Sequence, residues 1–160
     1  MEIRRIGADA FDLIWPMLEA EFRAGLTYAV DPQITKEAAC AYWIGAARES
    51  FVALDGDQVL GTYYLKANQP GFGDHVCNCG YVVAEAARGR GLAAQMCLHS
   101  QERARALGFA AMQFNFVLES NRGAVALWHR LGFETLGTIP QAYRHPVEGL
   151  VAAHLMWKAL

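Results

Sequence analysis

Apolar and polar positions follow two different periods along this chain, and the changes of period mark its elements. Residues 2–6 read as a short strand. The apolar residues Phe11, Ile14, Trp15, Leu18 and Phe22 then recur at helical spacing. Asp9 stands where it would cap that helix, and Pro16 either kinks it or marks its true start. A second helix is predicted over about 35–47. Residues 51–54 and 59–66 read as antiparallel strands around Asp55-Gly56-Asp57, a strong hairpin signal. The run 76–83 is apolar throughout except for Asn78, the pattern of a strand buried on both faces. It leads through Arg88-Gly89-Arg90-Gly91 directly into a helix whose Ala93, Met96, Cys97, Ser100, Ala104 and Leu107 share one face and which Gly108 stops. A strand over 110–118 comes next. Ser120 and Asn121 are N-cap residues for a short helix through Arg130, and after Gly132-Phe133 two last strands are predicted at 133–138 and 150–157.

The order β-α-α-β-β-β-α-β-α-β-β implies an α+β chain, α/β mixed around one sheet. The loop-like cluster from Ala67 to Asp74 separates two strands rather than two domains, and no repeat or linker appears. We therefore expect residues 1–160 to form a single domain, as 160 residues of which 54% are apolar allow one core of ordinary size. A formal charge of -2 leaves no excess basic field for nucleic acid or an anionic membrane surface. The opening MEIRRIGADA lacks the apolar stretch of a signal peptide and no run is long enough to span a bilayer, so a cytoplasmic location is expected. Cys40, Cys77, Cys79 and Cys97 have no metal-ligand spacing, so no metal is expected and all four read as reduced core residues.

The glycine-rich turn carries the first chemistry. A strand that ends in Arg88-Gly89-Arg90-Gly91-Leu92-Ala93 and passes straight into a helix presents unpaired backbone N–H groups at the positive end of the helix dipole, which makes an anion cradle. Gly89 and Gly91 let a phosphate approach the backbone, and Ala93 keeps the first turn low. The turn lacks the Lys-Ser/Thr of a nucleoside-triphosphate loop and the spacing of a dinucleotide fold, so neither ATP nor NAD is its natural ligand. The shape suits a pyrophosphate.

These residues resemble a known family. Arg88-x-x-Gly91-x-Ala93 is similar to the pyrophosphate signature of the GNAT superfamily of acetyl-CoA-dependent N-acetyltransferases. Asn121-x-x-Ala124-x-x-Leu127-Trp128-x-x-Leu131-Gly132-Phe133 looks like its second conserved block, with Trp128 where the family usually has tyrosine. The segments around Gly61-Thr62-Tyr63-Tyr64, Asn68-Gln69-Pro70-Gly71, 111–117 and Gly137-Thr138-Ile139-Pro140 are further similar to a branch that includes yeast enzymes acetylating proline-like imino acids such as azetidine-2-carboxylate.

The resemblance implies a GNAT-like fold in which the fourth and fifth strands splay apart. Acetyl-CoA enters the gap as co-substrate, and its pantetheine pairs with the fourth strand. Cofactor contacts are then expected from Tyr81, Val83, Arg88, Gly89, Arg90, Gly91, Leu92, Ala93, Asn121 and Trp128. Gly80 is expected to allow a bulge that frees the Tyr81 N–H to polarise the thioester carbonyl. Asn121 is expected to hydrogen-bond the leaving sulfur, with an N-cap as its alternative. Asn78 and Asn115 either contact the substrate or bond internally, since a buried asparagine needs partners in any case. The branch resemblance places a substrate carboxylate near Asn78 and the N–H groups around Asn115 and Phe116. Tyr28, and Tyr143 with His145 in a loop before the last strand, are candidates to wall the acceptor pocket. Glu85, Glu119 and His75 are chemically able to act as bases, although solvated carboxylates are the plainer reading of the first two. Arg122 and Arg130, like Arg90, are candidates to touch the cofactor phosphates.

The function this implies is direct acetyl transfer to a small amine, an amino or imino acid in the narrower reading, because no cysteine or serine is placed with a base to carry the acetyl group. The alternatives are a non-catalytic acyl-CoA-binding or sensing module and a protein N-terminal acetyltransferase. Nucleic acid and membrane are excluded as partners, and a homodimer is left open.

Overall fold

The computed structural model describes residues 1–45 and 49–160. The described elements are β1 (Glu2–Ile6), α1 (Trp15–Ala24), α2 (Lys36–Trp43), β2 (Glu49–Asp55), β3 (Gln58–Ala67), β4 (Val76–Val83), α3 (Leu92–Ala106), β5 (Ala111–Leu118), α4 (Arg122–Arg130), β6 (Glu134–His145) and β7 (Gly149–Ala159). They follow the order that the periodicity predicts. The strands form one seven-stranded sheet in the order β1-β2-β3-β4-β5-β7-β6. All neighbouring pairs are antiparallel except β4 and β5.

Alternate residues of the central strands feed two cores, one on each face, as the period of two requires. Tyr63, Leu65, Cys77 and Cys79 pack with Met96, Phe114, Trp128 and Phe133 on the side of α3 and α4. Val52, Leu54, Tyr64 and Val82 pack with Leu18, Phe22 and Trp43 on the side of α1 and α2.

Several local expectations change. Residues 8–13 form a 3-10 turn in which Asp9 makes no side-chain cap, and α1 begins only at Trp15 with Pro16 in its first turn. There proline's missing N–H costs nothing. Thr35 caps α2 by accepting from the Ala38 N–H at 3.2 Å. That helix is described to Trp43, and the predicted end at Ala47 lies outside the described residues. Leu107, placed on the buried face of α3, is exposed, whereas Gln101 is buried and accepts from Lys158 Nζ at 2.7 Å. Cys40 is half-buried and the other three cysteines are buried.

The largest departure is β6, which runs to His145 rather than stopping near 138. Tyr143 and His145 therefore sit on a strand and not in a loop. The sequence signal fades there because Pro140 interrupts the alternation, and Pro140 is tolerated because β6 is the edge strand, where the register slips between Ile139 and Tyr143. Among the described residues no helix is long and apolar enough to cross a membrane.

Candidate active site

The parallel pairing of β4 with β5 is confined to Val76 with Ala111 and Cys77 with Met112. Beyond those residues the two strands part, as the resemblance implies. The edge that β4 turns toward the opening keeps its backbone groups without a ladder partner. Ala84 donates to Leu60 of β3 at 2.9 Å, so the even-numbered residues Gly80 and Val82 also bond toward β3. By the same alternation Tyr81 and Val83 turn their N–H and C=O groups into the gap.

No bulge is needed for this. The β3–β4 register is continuous through Tyr64 with Gly80 and Tyr63 with Tyr81, which corrects the bulge expected at Gly80. Gly80 is required for space instead: a Cβ there would lie 2.5 Å from Tyr64 Cε1 and 2.9 Å from the Tyr28 hydroxyl.

The opening widens into a cleft of about 1180 Å³ that runs from the α1–α2 side of the sheet to the N-terminus of α3. At the α3 end lies the cradle. Gly89 and Gly91 have φ of 76° and 77°, and no atom lies within 4 Å of a Cβ built on either, so the left-handed backbone and not crowding calls for glycine. Gly91 is the N-cap of α3 and no side chain caps that helix. Its first N–H groups are therefore unspent donors facing open space, and they fit a pyrophosphate.

Arg88, Leu92 and Ala93 line the cleft here, whereas Arg90 is exposed and stays off its lining. The Arg88 guanidinium is 2.9 Å from Glu21 of α1, and the other Glu21 oxygen accepts from the Thr27 hydroxyl. Neither of these contacts was foreseen. They join the cradle to the loop after α1.

Above the cradle, Tyr81 and Trp128 stack obliquely with ring centroids 5.2 Å apart, and Phe114 lies 5.0 Å from Trp128. The Tyr81 hydroxyl bonds Ser100 at 2.7 Å, and burial pushes its phenol well above the ordinary value. What Tyr81 offers the gap is backbone. Asn121 lines the cleft and caps α4, its Oδ1 accepting from the Ala124 N–H at 3.4 Å. That leaves the Nδ2 end of the carboxamide for the cleft.

On the other side of the sheet, Asn78 is buried and makes two internal bonds. Its Nδ2 donates to the Gln113 carbonyl of β5 at 2.9 Å, and its Oδ1 accepts from Tyr64 at 3.2 Å. It thus spans the fork where the strands part, and it lines the cleft as well. Asn115 is held at the lip by Gln113 and by Asn68, 2.9 and 2.6 Å away, with Phe116 beside it on the lining.

Tyr28 donates to the Tyr81 carbonyl at 3.0 Å, and burial first, then the neighbouring Tyr64, Tyr42 and Glu21, push its phenol well above the ordinary value. At neutral pH it is a neutral donor and not a phenolate base. Tyr143 stands behind this wall and off the lining, donating to the Gly25 carbonyl at 2.7 Å and to the Tyr28 carbonyl at 3.2 Å.

The other candidates lie apart. The His145 ring accepts from the N–H groups of Val147 and Glu148 in its own hairpin, and Arg122 pairs with Glu148 at 3.2 Å. His75 and Glu119 are exposed and do not line the cleft, whereas Glu85 and Arg130 reach its rim. Tyr42, Tyr64 and Lys66 line the α1–α2 side of the cleft, and none of them was a site candidate from the sequence, although Tyr64 and Lys66 belong to the branch-like segment 61–66. The even spacing of 64, 66 and 78 carries the signal, but only a known β3–β4 register makes it readable. Among the described residues no His/Cys/Asp/Glu group is arranged to hold a metal ion.

Comparison with known proteins bears on this geometry. A family model described as Acetyltransferase (GNAT) family matches residues 9–133. A GCN5-related N-acetyltransferase of Kribbella flavida is 40% identical and superposes with a TM-score of 0.94 over 99% of this chain and 97% of that one. The N-acetyltransferase aca1 of Schizosaccharomyces pombe is 28% identical over 152 residues, covering 84% of this chain and 73% of that protein. A GNAT phosphinothricin acetyltransferase of Sinorhizobium meliloti, solved with acetyl-CoA, shares the fold at 21% identity and a TM-score of 0.86, over 99% of this chain and 88% of that one.

Proposed function

The chain belongs to the GNAT acetyltransferase family, is as such an acetyl-CoA-dependent N-acetyltransferase, and we propose that its acceptor is the amine of a small amino or imino acid. When bound, acetyl-CoA supplies an activated acetyl thioester. The residues of this chain then have separable tasks. The uncapped N-terminus of α3, with Gly89 and Gly91, holds the pyrophosphate. Val83 pairs through its backbone with the pantetheine, and the Tyr81 N–H donates to the thioester carbonyl oxygen as charge develops there. Asn121 hydrogen-bonds the leaving sulfur through Nδ2. A thiol has a reference pKa near 8.5, so a donor suffices and a proton acid is dispensable, in keeping with Trp128 at the family's tyrosine position.

Direct transfer is supported by the state of the nearby thiols. Burial pushes Cys79 well above its ordinary value and raises Cys97, so neither offers a thiolate to carry the acetyl group. The four free cysteines fit a reducing, cytoplasmic setting.

The observation that carries the acceptor class is the fixed wall along the far half of the cleft. Tyr143 clamps the Gly25–Tyr28 segment, and Tyr28 itself is fastened to β4. A wall held this way suits a small molecule better than an extended peptide. The test is thiol release from acetyl-CoA against a panel of amino acids, imino acids, polyamines and peptides. Turnover confined to the small acids supports the proposal. Preference for peptides overturns it in favour of N-terminal acetylation, and binding without any turnover points to a sensing module.

A further inference from the structure

Acetyl transfer needs a group that takes the proton of the amine, and the acids and bases singled out in the sequence do not supply one. His75 and Glu119 are off the lining, Glu85 is exposed at the rim, and Tyr28 is a neutral donor. Another acid is built into the wall. Met17, Ala20, Glu21 and Ala24 recur at helical spacing and form the stripe of α1 that lines the cleft, while Leu18 and Phe22 turn to the core. Among the described residues of the lining the acids are Glu21 and Glu85, and Glu21 is the enclosed one, its side chain 13% exposed.

The Glu21 carboxylate is held in place without being used up. Thr27 donates to Oε1, and the Arg88 guanidinium donates to Oε2 at 2.9 Å. A carboxylate has about four lone-pair sites, so each oxygen keeps room for a further donor. The Arg88 side chain is 57% exposed, so water screens its half of the pair. Thr27 leads directly into Tyr28, whose hydroxyl donates to the Tyr81 carbonyl at 3.0 Å and whose phenol feels the charge of Glu21. Glu21 thus belongs to the wall that abuts β4 where Tyr81 turns its N–H into the gap.

We propose that Glu21 is the catalytic base toward the acceptor, its carboxylate receiving the amine and taking its proton. The inference rests on the acetyltransferase reading of the same cleft and adds the group that activates the nucleophile. At neutral pH an aliphatic amine arrives as the ammonium, which a carboxylate attracts. Glu21 takes one proton, directly or across one water, and passes it to solvent. The freed nitrogen bonds the thioester carbon, the C–S bond breaks with its electron pair on sulfur, and the proton that the new amide sheds makes the thiol.

The charged or titratable groups that face Glu21 are Arg88 from the turn before α3 and Tyr28 from the loop after α1, with Tyr42, Tyr64, Lys66 and Glu85 on the same lining. A guanidinium stays charged and the Tyr28 phenol is pushed well above its ordinary value, so neither of the first two changes charge over the range tested. Thiol release at saturating acetyl-CoA is measured from about pH 6.5 to 9.5 in wild type, Glu21→Gln, Glu21→Asp and Arg88→Met. The acceptor is whichever of proline, azetidine-2-carboxylate, alanine, spermidine and a short peptide wild type acetylates fastest. Glu21→Gln should lose about a hundredfold in kcat/KM near pH 7 and progressively less toward pH 9.5, where more of the amine arrives neutral. Glu21→Asp should keep part of the rate. Arg88→Met breaks the same tie from its other end and should show a smaller loss that is equal at every pH. A Glu21→Gln loss that is flat with pH, one matched by Arg88→Met, an aspartate variant no better than the glutamine one, or no loss at all would overturn the proposal. The acceptor reading fails separately. If spermidine or the peptide is fastest, the small-acid class is wrong and Glu21 is tested on that amine; if wild type acetylates none of them, the proposal falls as well.

Discussion

Two residues, Gly91 and Asn121, serve backbone geometry, and the chemical role proposed for each can be tested apart from it. Gly91 has φ of 77° with open space around it, so a side chain there meets strain and no collision. Gly91→Ala reports the strain alone, while Gly91→Asp adds a negative charge at the proposed pyrophosphate site. Acetyl-CoA affinity is expected to fall at least tenfold further in the Asp variant than in the Ala variant, about 1.4 kcal/mol. Equal affinities, measured by calorimetry on folded protein, would remove the cradle from the cofactor site. Asn121 both caps α4 and faces the cleft. Its loss to alanine combines about 1 kcal/mol of cap stability with the loss of the donor. Asn121→Asp keeps an Oδ1 for the cap and removes the N–H₂, so it separates the two. We expect Asn121→Asp to hold its melting temperature while kcat drops about tenfold or more, the size of one charge-assisted hydrogen bond. A near-wild-type kcat in that variant would leave Asn121 as a cap and nothing else.

Among the elements, the decisive feature is the fork between β4 and β5, and Asn78 spans it. Its bond to the Gln113 carbonyl is a cross-strand tie at the place where the backbone ladder has ended. Asn78→Ala removes the donor to that carbonyl and one acceptor of the Tyr64 hydroxyl, which costs about 1–3 kcal/mol in a buried setting. It should raise KM for the acceptor more than KM for acetyl-CoA, since Asn78 belongs to the α1–α2 face. Equal changes in the two constants, from full kinetics on both substrates, would make the asparagine purely structural. A second tie holds the opposite end of the sheet to α3. Glu49 of β2 takes both prongs of Arg103 at 2.8 Å, with Arg5 of β1 at 3.1 Å. The Arg103 hydrogen bonds lower the Glu49 pKa from its ordinary value. A carboxylate whose pKa is depressed by folding stabilises the fold above its unfolded pKa, and that contribution is lost as pH falls through the folded pKa. Melting temperature should therefore fall more steeply between pH 6 and 3 in wild type than in Glu49→Gln. Parallel curves would show that the pair adds no acid sensitivity.

For the molecule as a whole, the sheet remains one unit across the fork while its centre is open, and ligand binding should register as protection at defined amides. The Tyr81 and Val83 N–H groups face the gap, whereas those of Gly80 and Val82 bond to β3. Hydrogen exchange should be fast at the first pair and slow at the second. Acetyl-CoA should slow Tyr81 and Val83 selectively and raise the melting temperature, by about 2.7 kcal/mol of stability at a hundredfold excess over Kd. Uniform protection along β4, or none, would mean that the strand does not pair with the cofactor.

The sequence by itself determined the order of elements, the glycine cradle and the two family blocks, because each is a local matter. Period two or 3.6, a left-handed glycine before a helix, and an asparagine at an N-cap are all set by neighbours in the chain. Parity alone likewise sets Asn78 and Tyr81 on opposite faces of β4. Tertiary structure decided the rest. Whether Gly80 serves a bulge or an aromatic contact depends on Tyr64 and Tyr28 arriving from other segments, 16 and 52 residues away in sequence, and only the packed sheet brings them together. The length of β6 depends on β7 pairing with it past Pro140, which no propensity announces. The α1–α2 wall of the cleft likewise exists only after the β3–β4 register sets Lys66 opposite Asn78 and the Arg88–Glu21 pair ties the cradle to α1. Pairing and packing across distant segments turn these separate local signals into one cleft, because the energies that fix a register are contacts between strands and not preferences of either strand alone.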